Sequence, residues 1–523
     1  MKLTKYLLIL LIFCTLSVNA QQNYRVFFRD KDGSTFDPYS YFDAKAIERR
    51  IVNNISLYDI TDFPVNENYI SQVSSVADSV LFVSRWFNMA YVDATVSQIE
   101  KIKEFSFVTT VEPVLGSMVP AMINPEADYD SVLSSEESVM LINQTARMGG
   151  ELFTQKNIDG KGLRIAIFDA GFPTVDVNPA FEHIRRDGRI LKTWDFTRNK
   201  EFVYSFNSHG CMVMSCIGGM INGRKIGLAT GAEFMLARTE VNSEPYSEEK
   251  NWLAAVEWAD KNGADIINSS LGYTFNRYFN DQMDGKTSLV ARAANLAARK
   301  GILVINAAGN EGSSKWKFIG TPADADSIIS AGGIDPDTDY HISFSSYGPT
   351  SDKRMKPNIS AYGSVIAAGK TGLSNVQGTS FASPLIAGFA ACAWQVHRDR
   401  TNMQMFDELQ KSGDLYPYFD YAHGYGVPQA SWFVNGKTNA LPTFNITTVD
   451  SNLVIVTDTI NDNHWPGKQG LLYYKISDSK GFIEEYYVIS VYQQEALKIP
   501  LKKYSKGKTL TVFYRGYAKE FTF

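Results

Sequence analysis

Hydrophobic and polar positions follow two periods within residues 24–114. Segments that alternate apolar and polar side chains predict strands, whereas an apolar position at every third or fourth residue predicts a helix. The predicted strands are Tyr24–Phe28, Val80–Trp86, Met89–Ala94 and Val108–Val111, and the predicted helices are Asp43–Ile51 and Val96–Glu104. We therefore expect a small α+β unit in this part of the chain.

Residues 141–434 show a different pattern, in which short uninterrupted apolar runs alternate with helical segments. The runs are Leu163–Phe168, Glu233–Ala237, Ile266–Ser269, Leu303–Ala307 and Ile328–Ala331, and the helical segments include Ser247–Lys261 and Lys286–Arg299. Uninterrupted apolar strands are typical of parallel sheets with helices on both faces. The pattern predicts such an α/β fold, with any active site at the carboxyl ends of the strands.

The pattern changes again after residues 436–442. The segments Leu471–Ile476, Glu485–Val491 and Thr509–Tyr514 alternate aromatic and polar side chains without a helical period, which predicts a β-sandwich of about eighty residues. Residues 117–139 are rich in Pro, Asp, Glu, Ser and Met and lack apolar periodicity. We expect an exposed linker there, with a proteolytic processing site.

The first twenty residues predict a secretory signal peptide. Lys2 and Lys5 precede a short apolar run from Tyr6 to Leu16, and small residues around Ala20 follow. The run is shorter than the roughly twenty residues that span a bilayer. We predict a secreted protein, in the medium or the cell envelope or periplasm, without a membrane span.

These patterns divide the chain into a leader, three domains and a linker. The predicted bounds are 1–20 for the signal peptide, 21–116 for the α+β domain, 117–140 for the linker, 141–436 for the α/β domain and 437–523 for the β-sandwich.

Composition agrees with a folded protein and excludes some partners. Hydrophobic residues make up 44% of the 523 residues and charged residues 20%, so most of the chain can bury a core. The net charge of −5 leaves no basic excess for binding nucleic acid or a membrane surface. Beyond the leader only Cys211, Cys216 and Cys392 remain, too few for a disulfide framework.

Three segments of the α/β region each place a polar residue where apolar packing alone would not require one. Asp169 ends an apolar strand, His209 stands just ahead of an apolar helix, and Ser380 begins another helix. A serine hydroxyl needs a base to take its proton, and histidine is suited to that near neutral pH. A buried carboxylate then orients the imidazole and stabilises its charged form. We predict that Asp169, His209 and Ser380 form a catalytic triad.

The same region offers groups that would hold the oxyanion and the substrate. The backbone N–H of Ser380 lies at a helix start, Gly378 leaves room for a substrate backbone, and the amide of Asn310 is a second donor. Ser270, Leu271 and Gly272 follow a buried strand, and their backbone groups could pair with an extended peptide. This predicts polypeptide substrates.

Four blocks of the sequence, in this order, resemble the signatures of the subtilisin-like serine peptidases. They are Asp169-Ala170-Gly171, His209-Gly210, Ala307-Ala308-Gly309-Asn310 and Gly378-Thr379-Ser380-Phe381-Ala382-Ser383-Pro384. The resemblance covers roughly residues 141–434. It implies a parallel seven-stranded sheet, serine endopeptidase activity, and the triad and oxyanion roles given above.

Residues 24–114 look like the family's prodomain, which implies that the chain is a zymogen whose own prodomain is an intramolecular inhibitor. Two positions depart from the family pattern, since Cys211 replaces a usual Thr and Phe381 a common Met. Neither change removes a catalytic group.

Two alternatives remain beside this hypothesis. A secreted binding or adhesion protein could keep the same scaffold without turnover. The resemblance also leaves structural calcium open, although no ligand set is evident. Asp335, Asp337 and Asp339 alternate as at the start of a calcium loop, but Tyr340 and Ser346 stand where Gly and Glu are needed. We expect no metal site and no required cofactor.

Overall fold

The computed structural model describes residues 22–114, 133–241, 247–275, 277–436, 440–458, 470–491 and 496–523. The predicted signal peptide at 1–20 and most of the predicted linker lie outside these residues. Contacts between residues divide the chain into two compact units. One unit comprises residues 1–124, 194–200 and 238–264, and the other comprises 125–193, 201–237 and 265–523.

The N-terminal region forms the predicted α+β fold. The strands are β1 (Gln22–Phe28), β2 (Ser79–Ser84), β3 (Met89–Ala94) and β4 (Val108–Pro113), and the helices are α1 (Pro38–Tyr41), α2 (Ala44–Val52), α3 (Glu67–Ser74) and α4 (Val96–Lys103). The strands form one antiparallel sheet in the order β2-β3-β1-β4. Tyr24, Val26 and Phe28 of β1 are buried while the residues between them are partly exposed, which is the alternation that predicted this strand.

The α/β region contains a seven-stranded sheet of order β13-β12-β11-β10-β5-β9-β6. Its strands are β5 (Arg164–Asp169), β6 (Ile190–Asp195), β9 (Glu233–Arg238), β10 (Ile266–Ser269), β11 (Leu303–Ala307), β12 (Ile329–Ile334) and β13 (Ile359–Tyr362); two hairpins add β7 (Met220–Ile221), β8 (Arg224–Lys225), β14 (Ser364–Ala368) and β15 (Leu373–Gln377). The helices are α5 (Ser135–Ala146), α6 (Gly150–Gln155), α7 (Glu182–Arg186), α8 (His209–Gly218), α9 (Ser247–Lys261), α10 (Leu289–Arg299), α11 (Thr379–Val396), α12 (Asn402–Lys411) and α13 (Ala430–Asn435).

The predicted parallel sheet is confirmed, and its central strands explain the apolar runs. β10 lies parallel between β5 and β11, with Ile267 beside Ala166 and Val304. All residues of β10 and β11 are buried, because helices cover both faces. The apolar runs had not predicted β6 and β13. β6 lies at one edge and is partly exposed, while β13 is short and contains Ser and Ala.

The helix α5 begins inside the predicted linker. Its first residue is Ser135, and a capping box joins the side chain of Ser134 to the backbone of Glu137 and the side chain of Glu137 to the backbone of Ser134. Such a box satisfies N–H groups that a helix start leaves without partners. Because residues 117–139 contain few apolar side chains, hydrophobic periodicity did not predict this helix start, although the capping residues indicate it.

The C-terminal region forms two antiparallel sheets around one core. The strands are β16 (Phe444–Val449), β17 (Asn452–Thr457), β18 (Gly470–Ser477), β19 (Ile483–Val491), β20 (Ala496–Pro500), β21 (Thr509–Tyr514) and β22 (Tyr517–Thr522). They are ordered β16-β17-β20 and β19-β18-β21-β22. Leu453, Leu472 and Leu510 pack together between the two sheets, as in the predicted sandwich. Tyr473 and Phe513 also pack against Leu415 and Tyr418 of the α/β region.

Within the described residues, no helix is long and apolar enough to cross a membrane.

The first unit contains α9, which packs against β2 and α2 through buried charges. Arg50 donates to Asp260 at 2.8 Å, and Arg49 donates to the same carboxylate. Glu257 accepts hydrogen bonds from the hydroxyl of Ser84 and from the backbone N–H of Arg85 at 3.2 Å. Burial raises the pKa of Glu257 to about 7, although these donors oppose the shift.

We expect this contact to weaken as pH rises. A raised carboxyl pKa means that the folded protein binds more protons than the unfolded chain between pH 4.5, the ordinary value, and about 7. The stabilisation is therefore present at low pH and lost through this interval. Glu257→Gln should remove this loss. Relative to the difference between variant and parent at pH 5, the free energy of opening this contact should be higher in the variant by about 1–3 kcal/mol at pH 8.

Hydrogen exchange of the amides in 79–94 and 247–261, compared between variant and parent at each pH, measures this difference. Glu48→Gln is the matched control because Glu48 is exposed on α2. A ratio of exchange rates that stays constant from pH 5 to 8 would contradict the prediction.

Candidate active site

Asp169 and His209 meet at the carboxyl edge of the parallel sheet. Asp169 is the last residue of β5 and is 1% exposed, and His209 is the first residue of α8. The Nδ1 atom of His209 lies 2.9 Å and 3.0 Å from the two carboxylate oxygens. The strand end and the helix start thus place the predicted acid and base in direct contact.

Gly210 allows this close approach. A Cβ at position 210 would lie 2.3 Å from the carbonyl oxygen of Gly171 and 2.9 Å from the Cβ of Asp169. Any side chain there would push α8 away from β5. The His-Gly pair of the sequence is therefore a packing requirement as well as a chemical one.

The charge of Asp169 controls the protonation of His209. Burial alone would lower the pKa of His209, but the charge of Asp169 and the hydrogen bond to it outweigh burial and raise the pKa above its ordinary 6.5. With Nδ1 directed at the carboxylate, the neutral ring presents a basic Nε2. The side chain is 26% exposed, so the ring is open to a reactant.

A second histidine–carboxylate pair shows what distinguishes His209. The Nδ1 atom of His423 lies 3.0 Å from Asp420, but its Nε2 accepts from the backbone N–H of His341 at 3.0 Å. His423 is 3% exposed and both of its ring nitrogens are engaged. His423 is therefore a structural residue, which its sequence context did not reveal.

Ser380 lies at the second position of α11, beside the same edge. The ring of the next residue, Phe381, lies 5.5 Å from the His209 ring, measured between centroids. The Oγ of Ser380 donates to the carbonyl oxygen of Ser270 at 3.2 Å, and within the described part of the chain it makes no hydrogen bond to His209. The residue after the nucleophile candidate thus contacts the ring of the base candidate, while the hydroxyl of Ser380 is turned toward the end of β10.

Asn310, the predicted oxyanion donor, lies beside Gly378, the glycine predicted to leave room for a substrate backbone. The Oδ1 of Asn310 accepts from the backbone N–H and the hydroxyl of Thr379, each at 2.9 Å. These contacts direct the N–H₂ group toward Gly378, where a Cβ would lie 3.4 Å from Nδ2. Gly378 has φ +144°, a conformation that favours glycine. The space in front of the amide is therefore kept open.

The predicted substrate edge has some of its backbone groups occupied. The carbonyl oxygen of Ser270 accepts from Ser380, and that of Leu271 accepts from the side chain of Asn306 at 2.9 Å. Gly272 is exposed. An incoming peptide would thus compete with Ser380 for the Ser270 carbonyl.

Asn268 and Ser383, which were not among the predicted site residues, connect β10 to α11. The side chain of Asn268 donates to the hydroxyl of Ser270 at 3.0 Å and accepts from the hydroxyl of Ser383 at 2.8 Å. The available signal was a polar residue inside the apolar run Ile266–Ser269. A fully buried amide in such a run indicates a specific set of partners.

Cys211 lies two residues after His209, but its thiol has low reactivity. Its thiol is buried and directed at the carbonyl oxygen of Ala368 at 3.5 Å. Burial raises the pKa of Cys211 to about 12, so the reactive thiolate is scarce near neutral pH.

Two of the three carboxylates in the candidate calcium loop have partners within the protein. Asp335 accepts from the backbone N–H groups of Asp337 and Thr338, and Asp339 forms an ion pair with Arg147 at 3.3 Å. In the described ranges, no cluster of three or more His, Cys, Asp or Glu residues has the geometry to hold a metal ion.

Two family models match the chain. Residues 160–426 match the subtilase family (Peptidase S8), and residues 23–126 match the Peptidase S8 propeptide domain of Bacteroidota. The first match contains Asp169, His209, Asn310 and Ser380.

Curated relatives show the same similarity. Subtilisin DY from Bacillus licheniformis is 31% identical over 281 residues, which are 53% of this chain and 95% of the relative. Serine protease AprX from Bacillus subtilis is 28% identical over 315 residues, 54% of this chain and 68% of the relative. The chain covers less of others, such as 57% of the thermophilic serine proteinase from Bacillus sp. (strain AK1), which is 30% identical over 257 residues.

Among solved structures, fervidolysin from Fervidobacterium pennivorans, described as a keratinolytic enzyme related to subtilisin, has a TM-score of 0.53. The match covers 94% of this chain and 71% of fervidolysin at 15% identity, which shows the fold alone. Together with the matched family model and the nearly full coverage of subtilisin DY, these results show that the chain belongs to the subtilase family of serine endopeptidases.

Proposed function

We propose that this chain is a secreted endopeptidase that cleaves polypeptides through Asp169, His209 and Ser380. The observation that carries the proposal is the buried carboxylate held 2.9 Å from Nδ1 of a partly exposed histidine, beside the helix whose second residue is Ser380. This arrangement leaves Nε2 of His209 as the base. The other buried histidine–carboxylate pair leaves no such atom.

In the proposed reaction, the hydroxyl of Ser380 rotates from the Ser270 carbonyl to Nε2 of His209 and attacks the scissile carbonyl. His209 takes the proton and returns it to the leaving amine, while Asp169 stabilises the imidazolium. The backbone N–H of Ser380 and the side chain of Asn310 donate to the oxyanion. Water then releases the acyl group by the same steps in reverse.

The substrate is proposed to be an extended polypeptide that pairs with Ser270–Gly272. Displacement of the Ser380 hydroxyl from the Ser270 carbonyl by a substrate N–H would couple binding to release of the nucleophile. A strand-like substrate suits exposed backbone at a sheet end, since its own N–H and C=O groups supply the contacts.

The propeptide match supports a zymogen, in which residues 21–116 act as an intramolecular inhibitor after folding. We propose that the processing site lies within residues 117–140 and that the signal peptide at 1–20 directs secretion. The presence of all three groups in this chain argues against the alternative of a binding or adhesion protein without turnover.

The first test is Ser380→Ala. Loss of the nucleophile should lower kcat on the order of 10⁶-fold and leave the prodomain uncleaved. Peptide hydrolysis and the intact mass of the secreted protein measure both effects, and a fluorophosphonate should label Ser380 in the parent alone. Ser351→Ala, at an exposed serine, is the control. Undiminished hydrolysis by Ser380→Ala would exclude Ser380 as nucleophile.

The pH profile tests the base. Because His209 acts as a base only when neutral, and Asp169 raises its pKa, kcat/KM should rise with a midpoint above pH 6.5. Asp169→Asn removes the charge, so the midpoint should move to lower pH while kcat falls on the order of 10⁴-fold. A rate that is constant from pH 5 to 8 in the parent would speak against His209.

The oxyanion role is tested by Asn310→Asp. Aspartate keeps an oxygen to accept from Thr379 but replaces the N–H₂ donor with a negative charge. We expect kcat to fall about 10²- to 10³-fold with little change in KM or melting temperature. Retained activity would mean that Asn310 only shapes the turn that follows β11.

A further inference from the structure

The carbonyl group of Ser380 has lost the donor that a helix normally provides. In an α-helix the carbonyl of residue i accepts from the N–H of residue i+4. For Ser380 that residue is Pro384, which lies inside α11 and has no N–H. A proline ring also crowds the carbonyl four residues earlier and tilts it away from the helix axis.

The hydroxyl of Ser270 occupies the place of the missing donor. Its Oγ donates to the carbonyl oxygen of Ser380 at 2.9 Å. The side chain of Asn268 donates to the same Oγ at 3.0 Å, which orients the Ser270 proton toward Ser380. Asn268 in turn accepts from Ser383 at 2.8 Å, so the chain of hydrogen bonds begins and ends on α11.

The side chains that form this chain of hydrogen bonds are buried, and the strand that carries Asn268 is paired within the sheet. Asn268 and Ser383 are fully buried, and Ser270 is 6% exposed. β10, which carries Asn268, is paired on both sides within the parallel sheet, where Asn268 lies beside Ile167 and Ile305. A buried hydrogen bond is expensive to lose, so the position of the Ser380 carbonyl follows the position of β10.

We propose that the hydroxyl of Ser270, oriented by Asn268, is a positioning group that fixes the peptide following Ser380 in place of the helix N–H that Pro384 cannot supply. Fixing this peptide sets the direction of the Cα–Cβ bond of Ser380 and hence the reach of its Oγ toward His209. The role belongs to the side chain of Ser270 and is separate from the substrate contact proposed for its backbone. The inference rests on the proposed function of Ser380.

This role predicts that Ser270→Ala lowers the reactivity of Ser380, and that the loss is smaller when Pro384→Ala is also present. Ser270→Ala should slow fluorophosphonate labelling of Ser380 and lower kcat by about 10- to 100-fold, with KM nearly unchanged, since small misplacements of a reacting group cost rates of this size. Pro384→Ala restores an N–H at position 384. In that background the further change Ser270→Ala should slow labelling by less than about threefold, a non-additivity typical of groups that share one partner.

A matched pair of variants separates the effect of the hydroxyl group from the effect of side-chain volume. Threonine and valine have nearly the same volume, but only threonine keeps an O–H. Ser270→Thr should label Ser380 faster than Ser270→Val by about tenfold or more, and this comparison remains available if Ser270→Ala does not fold. Melting temperatures of the full-length variants show whether each protein is folded.

The outcomes separate this inference from the proposed function. If the parent is not labelled at Ser380, or if Ser380→Ala keeps its activity, the proposed function fails. If the parent is labelled and active but Ser270→Ala labels at the parent rate, the positioning role is wrong. It is equally wrong if Ser270→Ala is as damaging in the Pro384→Ala background as in the parent, or if the threonine and valine variants label alike.

Discussion

The structure depends on the burial of α11 against the parallel sheet. From Thr379 to Trp394 this helix is buried at every position except Ser380, and its residues belong to the same apolar core as β5, β10, β11 and α8. Burial on this scale leaves the helix one position along its axis, because a shift of even a fraction of a turn would open voids in a close-packed core. The location of Ser380 follows from that packing.

The carboxyl edge of the parallel sheet holds polar groups where the apolar core ends, and each of them has hydrogen-bond partners. Asp169 accepts from His209 and from the backbone N–H of Ala170, and Asn310 accepts twice from Thr379. Buried or half-buried polar groups of this kind destabilise a fold unless their hydrogen bonds are made. Once made, the same bonds restrict each side chain to one orientation, which is the property that the proposed chemistry requires.

Some features could be predicted because they depend on local pattern. Uninterrupted apolar runs indicated β5, β10 and β11, since central parallel strands are buried on both faces. The apolar runs did not predict β6, because this edge strand is partly exposed. They did not predict β13, because a short strand with small residues lacks an apolar run. The helix start at Ser135 depended on two capping residues within a polar segment, where hydrophobic periodicity carries no signal.

The sequence by itself determined which chemical groups are available and in which order Asp169, His209, Asn310 and Ser380 occur. It also determined, through Pro384, that the Ser380 carbonyl would lack a helix donor. Only the tertiary structure decided that the hydroxyl of Ser270, held by Asn268, would donate to that carbonyl, and that the Ser380 hydroxyl would donate to the Ser270 carbonyl just after β10. It also decided that His209 rather than His423 would keep an open ring nitrogen. The reason is that these contacts join residues more than a hundred positions apart in most cases, and their geometry is set by how buried strands and helices pack, which no local pattern records.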